Sequence, residues 1–226
     1  GIAEKVCGSR VITYDDQQID FGKWSRLTMN EAIMRFTPET IDEAGLKDRA
    51  TVERVLKQLH VDFDSRMPLG NLIGLLFETV AEEHLVQPTF IYDYPVELSP
   101  LSKVKAGDPS LVERFELYIG KMEIANGYSE LNDPVDQRDR FLAQLQARER
   151  GDEEAHQMDD DYIRALSNGM PPTAGEGIGV DRLTMLLTNS TSTLSNTTST
   201  LTGTAISTFA SAYLAAFDAQ ATRRTL

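Results

Sequence analysis

The sequence predicts an α+β protein in which helices flank a mainly antiparallel sheet. Short runs of β-branched and aromatic residues, bounded by turn residues, occur at positions 11–14, 18–21 and 112–131 and predict antiparallel strand pairs. Positions 70–86 carry apolar residues at helical spacing and predict an amphipathic helix. The 226 residues are enough to bury the core of one such domain.

The first half of the chain is predicted to be mostly helical. Positions 2–6 are typical of the end of a helix, and the two strands at 11–14 and 18–21 would enclose an Asp15-Asp16 turn. Thr28-Met-Asn-Glu31 is a capping-box pattern and predicts a helix through about Arg35. A further helical pattern covers 49–60.

The second half is predicted to hold most of the sheet. Positions 88–95 predict a strand closed by Pro95, and 112–131 predict two more. Asp133-Pro134 predicts the start of a helix that ends near Gly151, and 159–168 predict a short helix stopped by Gly169. Positions 169–188 then change from an extended segment into a helix that begins near Val180.

Composition excludes several classes of function. With 35 acidic and 22 basic residues the net charge is -13, which argues against a broad nucleic-acid-binding face. The single Cys7 excludes an internal disulfide and a cysteine-rich zinc site, and it fits a cytoplasmic location. No signal-peptide pattern occurs in the first 20 residues, and the apolar stretch 205–217 is too short to span a membrane.

Three alternating glycines precede an arginine at the start of the last predicted helix. Gly175, Gly177 and Gly179 lack a Cβ, so the backbone there can turn tightly and a flat ligand can lie against it. Arg182 offers a planar cation that stacks on a base or binds a phosphate. This pattern favours a nucleotide site. An ordinary bulged strand is the alternative, and the spacing matches neither a P-loop nor a dinucleotide fingerprint.

Two glutamates flank a predicted hairpin. If Gly120-Lys121 is a two-residue turn, Tyr118 lies opposite Glu123 and Glu116 shares their face. The two carboxylates are then diagonal neighbours, about 7–8 Å apart, and suit a hard cation that bridges phosphate oxygens. The alternative is a pair of glutamates that face solvent.

Asn126, Tyr128 and Glu130 alternate and therefore share one face of a strand. An amide, an aromatic ring and a carboxylate suit a cationic amino acid. Period-two alternation places Glu123 on the opposite face from Asn126, so one site that uses both requires a bulge near Ala125. The alternative is that Asn126-Gly127 forms a hairpin turn.

Two long motifs resemble one enzyme family. Pro-Pro-Thr-Ala-Gly-x-Gly-Ile-Gly-Val-Asp-Arg, at 171–182, resembles the third signature motif of class II aminoacyl-tRNA synthetases in its lysyl-tRNA synthetase form. Glu-x6-Glu-Ile-x-Asn-Gly-Tyr-Ser-Glu-Leu-Asn-Asp, at 116–133, is similar to the corresponding segment of the same family. The likeness extends over about residues 1–190 and implies an incomplete class II catalytic core.

The resemblance implies a role for each candidate residue. Glu116 and Glu123 would hold Mg²⁺ at ATP, and Gly177 and Arg182 would contact ATP, with Arg182 stacked on the adenine as the catalytic arginine. The lysine pocket would be lined by Asn126, Tyr128 and Glu130. The implied partners are ATP, lysine and tRNA(Lys). A homodimer is typical of the family, whose first two motifs, the first of them at the dimer interface, are absent from this sequence.

The resemblance stops near Ser190, and the sequence therefore predicts two regions. Residues 1–189 would form the partial catalytic domain, and residues 190–226, rich in Ser and Thr at first, would form a disordered and then weakly helical tail. Two other functions stay open: a related ligase that modifies a lysine of a translation factor, and a non-catalytic interaction module.

Overall fold

The computed structural model describes residues 1–149 and 158–192, with the side chains of 146–149 excepted. Its α-helices are α1 Ile2–Cys7, α2 Met29–Phe36, α3 Glu43–Lys47, α4 Arg49–Gln58, α5 Leu69–Val80, α6 Pro134–Glu149, α7 Asp160–Leu166 and α8 Val180–Thr188. Its strands are β1 Val11–Tyr14, β2 Gln17–Asp20, β3 Ser25–Thr28, β4 Thr89–Pro95, β5 Val104–Lys105, β6 Asp108–Ile119, β7 Met122–Ser129 and β8 Ala174–Ile178. Short 3-10 helices follow α5 at Glu82–His84 and β4 at Val96–Leu98.

The main sheet has the strand order β3-β4-β6-β7-β8, and β5 pairs separately with β6. Only β3 and β4 run parallel among the pairs in the described part of the chain. The predicted α+β fold with a mainly antiparallel sheet is therefore confirmed. Strands β1 and β2 form a hairpin outside this sheet.

The predicted helix starts are confirmed at two caps. The Thr28 hydroxyl accepts a hydrogen bond from the Glu31 backbone N–H at 3.0 Å, and the Glu31 carboxylate accepts one from the Thr28 N–H at 2.8 Å. Asp133 accepts from the Val135 N–H at 2.8 Å at the start of α6. The pattern at 70–86 is divided, because α5 ends at Val80 and a 3-10 turn follows.

Two apolar clusters hold the elements together. The larger joins α2, α4 and α5 to β4 and β6, with Leu72, Leu76 and Phe77 of α5 packed near Ile91 and Tyr118. The smaller joins the β1–β2 hairpin and α8 to the turn between β6 and β7, through residues that include Ile19, Ile119, Ile124 and Leu186. Helices thus support the ends of β6 and β7 where the candidate residues lie.

Some predictions fall outside the described residues. These are the end of α6 near Gly151 and the tail at 190–226, apart from its first three residues. In the described part of the chain, no helix has both the length and the apolarity needed to cross a membrane.

Candidate active site

A tight turn and a bulge set the register of β6 and β7. Gly120 and Lys121 both have positive φ, at 60° and 65°, and they join the paired residues Ile119 and Met122 in the two-residue hairpin that was predicted. Tyr118 pairs with Glu123, as predicted. The next pair is Leu117 with Ala125, so one extra residue stands in β7 between Glu123 and Ala125.

The bulge brings the two groups of candidate residues to one face. Because the extra residue is Ile124, Glu123 and Asn126 both lie opposite residues of the Glu116 face, and Asn126 pairs directly with Glu116. The predicted bulge near Ala125 is confirmed. The alternative of an Asn126-Gly127 hairpin turn is wrong, since both residues lie inside β7.

Glu116 is a buried carboxylate with three hydrogen-bond donors. The hydroxyls of Tyr94 and Tyr118 each donate to Glu116 Oε2 at 2.8 Å, and Arg114 Nη2 donates to Oε1. The Glu116 side chain is 8% exposed and that of Arg114 is 17% exposed. A buried carboxylate needs such partners, and this network supplies hydrogen-bond donors to both oxygens of Glu116.

A further carboxylate reaches the network from the turn after α5. Tyr118 Oη lies 3.0 Å from Glu82 Oε1 as well as 2.8 Å from Glu116 Oε2. A hydroxyl donates one hydrogen, so Tyr118 donates to one of these two carboxylates at a time unless a carboxyl group is itself protonated. Burial raises the pKa of Glu82, and repulsion from Glu116 adds to the effect, while the hydrogen bond from Tyr118 opposes it.

Glu123 and Arg182 meet at the edge of the same face. Arg182 Nη1 donates to the Glu123 backbone oxygen at 2.6 Å and lies 3.6 Å from Glu123 Oε2. Burial raises the pKa of Glu123, and repulsion from Glu116 raises it further, while Arg182 opposes the shift. The two carboxylates therefore interact, as the predicted cation site requires.

Asn126 is held by an arginine that the sequence analysis did not single out. Arg114 Nε donates to Asn126 Oδ1 at 3.3 Å, while Arg114 Nη1 donates to the Leu98 carbonyl at 3.0 Å and to Ser99 Oγ at 2.7 Å. Arg114 also lies over the Tyr94 ring, 4.8 Å from its centroid. Its position two residues before Glu116 was the signal that could have identified it.

The glycines of β8 lie in the extended segment that was predicted. Gly175 and Gly177 pair with Tyr128 and Asn126 in a regular strand, and neither has a positive φ, so the backbone makes no tight turn at these two positions. A Cβ on Gly177 would meet nothing within 4 Å, and one on Gly175 would meet only Glu130 Oε1, at 3.9 Å. Their lack of a side chain leaves open space beside Asn126 and Tyr128.

Tyr128 and Glu130 extend the site along β7. Burial raises the pKa of Tyr128, and the Glu130 charge raises it further. Burial also raises the pKa of Tyr162 in α7, and electrostatic interaction with Glu130 and Tyr128 raises it further. Within the described chain, the Glu130 carboxylate has no hydrogen-bond donor or ion-pair partner. It is therefore free to bind a cationic ligand group.

A protein-family model described as tRNA synthetases class II (D, K and N) matches residues 2–195 of the sequence. The chain belongs to this class II synthetase family. Its relatives include lysine–tRNA ligases from Erwinia tasmaniensis, 50% identical over 190 residues, Thermoanaerobacter pseudethanolicus, 47% over 192 residues, and Escherichia coli, 46% over 190 residues. Each match covers 84% of this chain.

The chain spans little more than a third of the length of these relatives. It spans 37% of the Erwinia tasmaniensis and Escherichia coli relatives and 38% of the Thermoanaerobacter pseudethanolicus relative. The matched residues include the whole hairpin, β8 and Arg182. The family membership predicted from the two motifs is thus confirmed.

Proposed function

We propose that this chain carries the C-terminal part of the active site of a lysine–tRNA ligase. Such an enzyme activates lysine with ATP and Mg²⁺ and transfers the lysyl group to tRNA(Lys). The observation that carries the proposal is the shared face of β6, β7 and β8, where a carboxylate pair, an oriented amide and side-chain-free glycines lie side by side. The names of the relatives support lysine as the amino acid.

The carboxylate pair fits Mg²⁺. Among the described residues, Glu116 Oε2 accepts from two tyrosines, which occupies both of its lone pairs, whereas Oε1 accepts from Arg114 alone and keeps one lone pair for a cation. Glu123 supplies a second, half-exposed oxygen ligand. The described residues contain no cluster of three or more metal-binding side chains, and Mg²⁺ at a nucleotide takes only one or two carboxylates plus phosphates. When bound, it would neutralise the charge that develops on the phosphates.

The chain's own residues would bind and orient the two substrates. Glu130 would pair with the side-chain ammonium of lysine, beside the Tyr128 ring. Arg182 would stack on the adenine over the open space at Gly177. The lysine carboxylate then attacks the α-phosphate, pyrophosphate leaves, and the 3′-terminal hydroxyl of tRNA(Lys) accepts the lysyl group. Orientation and charge neutralisation supply the rate.

The test is lysine-dependent exchange between pyrophosphate and ATP, run on this chain and on the chain extended upstream as in its relatives. Exchange by the extended chain that requires lysine and Mg²⁺ is the expected result. Exchange with another amino acid, or with none, would contradict the proposal. A cytoplasmic location and a homodimer belong to the same proposal, and sedimentation of the extended chain tests the dimer.

A further inference from the structure

Arg114 joins the two halves of the site. It contacts the proposed metal ligand Glu116 through Nη2 and the proposed lysine-pocket residue Asn126 through Nε. Nη1 is fixed to the Leu98 carbonyl and Ser99 Oγ, and Ser99 is buried. The guanidinium is thus held from several sides and has little freedom to move.

An arginine donates hydrogen bonds and accepts none. The atom of Asn126 that faces Arg114 Nε must therefore be the amide oxygen. An NH₂ group in that place would set one hydrogen-bond donor against another, with no acceptor between them. This fixes the Asn126 side chain with its NH₂ group turned away from Arg114. Among the described residues that NH₂ group has no acceptor, and Gly177, the β8 partner of Asn126, leaves space next to it.

We infer that Arg114 is a positioning residue for amino acid recognition: it holds the Asn126 amide so that the NH₂ group presents a hydrogen-bond donor to an acceptor oxygen of the amino acid substrate. The inference rests on the proposed function for the identity of that substrate. Arg114 does not touch the substrate and acts through Asn126. A plain ion pair with Glu116 would instead contribute only to folding.

Arg114→Lys separates these roles, because lysine keeps the charge near Glu116 but cannot also donate to Asn126. In the form of the protein that catalyses exchange, we expect the KM for lysine to rise about tenfold, the effect of one charge-assisted hydrogen bond, and the KM for ATP to stay within about twofold. Arg140→Lys is the matched control. Arg140 is 11% exposed, against 17% for Arg114, and it binds Asp136 and the Ser102 carbonyl rather than any of the proposed site side chains.

A double-mutant cycle supplies a readout that a structural role would not move. In an Asn126→Ala background, Arg114→Lys should add less than about twofold to the KM for lysine, because the amide that it positions is gone. The inference would be overturned if Arg114→Lys raised the KM for lysine by the same factor in both backgrounds. It would also be overturned if Arg114→Lys raised the KM for lysine and the KM for ATP equally. Asn126→Asp leaves Arg114 intact and should raise the KM for lysine more than Asn126→Ala, since it turns an acceptor oxygen to the substrate. The opposite order would overturn it as well.

A spectroscopic test needs no activity. In the full chain labelled with ¹⁵N, the Asn126 NH₂ signals, assigned by their loss in Asn126→Asp, should shift in Arg114→Lys and not in Arg140→Lys. Unmoved signals would overturn the inference. Failure of the proposed function is distinct from both results: it appears in the unmutated protein as exchange with another amino acid, whose KM then replaces that of lysine in the cycle, or as no exchange.

Discussion

Glu116 and Glu123 have the same side chain and are predicted to bind the same cation, yet their surroundings differ. Glu116 is buried and is held by two tyrosines and an arginine. Glu123 is partly exposed, and both burial and the Glu116 charge raise its pKa. If the two residues bind the proposed cation, Glu116 would be the fixed ligand, and Glu123, which lies 3.6 Å from Arg182 Nη1 at the edge of the site, would be the adjustable one.

The raised pKa of Glu123 predicts a pH dependence of stability. The folded chain holds this proton more tightly than the unfolded chain, so stability falls as the pH rises from the ordinary value of 4.5 through the raised value. In EDTA at pH 7, Glu123→Gln should melt at the same or a higher temperature than the unmutated chain, and the difference should vanish below pH 4.5. Thermal unfolding at several pH values measures this.

The effect of Mg²⁺ on the melting temperature is a second test of the Glu123→Gln variant. A cation that binds the folded state raises its melting temperature, so Mg²⁺ should stabilise the unmutated chain and not Glu123→Gln. The control is Glu113→Gln, an exposed position on β6, which should respond as the unmutated chain does. A lower melting temperature for Glu123→Gln at pH 7 would contradict the assigned direction of the pKa shift.

Sequence patterns identified the candidate residues on β6 and β7 but not those that support them. The bulge at Ile124 was predictable, because strict alternation would place Glu123 and Asn126 on opposite faces of the strand. One site that uses both residues requires one extra residue between them. Tyr94 and Glu82 belong to other elements, and tertiary packing brings Tyr94 to Glu116 and Glu82 to Tyr118. No local pattern encodes such contacts. Arg114 shares the Glu116 face by alternation, but its bond to Asn126 depends on a side-chain conformation.

At the scale of elements, Gly127 in β7 has no room for a side chain, whereas Gly177 in β8 has open space beside it. A Cβ on Gly127 would lie 2.8 Å from two Phe115 ring atoms and 3.1 Å from Glu176 Cβ, so Gly127→Ala should destabilise the chain by about 1–3 kcal/mol. Gly177→Ala meets no atom within 4 Å and should be neutral or stabilise by up to about 1 kcal/mol.

Gly177→Ala, the substitution that leaves stability unharmed, is the one expected to change the KM for ATP. If adenine lies against Gly177, Gly177→Ala raises the KM for ATP although the fold is unharmed. Urea unfolding and exchange kinetics on both variants measure the two effects. A Gly177→Ala variant with normal stability and an unchanged KM for ATP would exclude this glycine from the nucleotide site.

Helix α2 depends on its cap. Removing the Thr28 hydroxyl from the reciprocal pair with Glu31 should cost about 1 kcal/mol of unfolding free energy in Thr28→Ala, measured in urea. Thr188→Ala serves as the control, because that hydroxyl only bonds back to the Thr184 carbonyl within α8. Equal losses in both variants would show that the cap is not the source of the stability.

Strand β3 shows where prediction of elements stops. It pairs in parallel with β4, from which it is separated by α2 to α5. Its residues, Ser-Arg-Leu-Thr, carry no alternation strong enough to identify a strand. The capping box that follows was identified because its two bonds lie within four residues. Local interactions were predictable, and pairing across distant segments was not.

At the scale of the whole molecule, the net charge argues against tRNA binding by this chain alone. The net charge of -13 and the pI near 4.7 oppose contact with phosphates. We expect this chain not to retard tRNA in a gel at about 0.15 M salt, where charges are screened beyond about 8 Å. Lower salt strengthens repulsion, so it should not promote binding, in contrast to ordinary nucleic-acid-binding proteins. The same gel run with the chain extended upstream is the control. Binding by the short chain that tightens as salt falls would reveal a local basic surface and would contradict the argument from net charge.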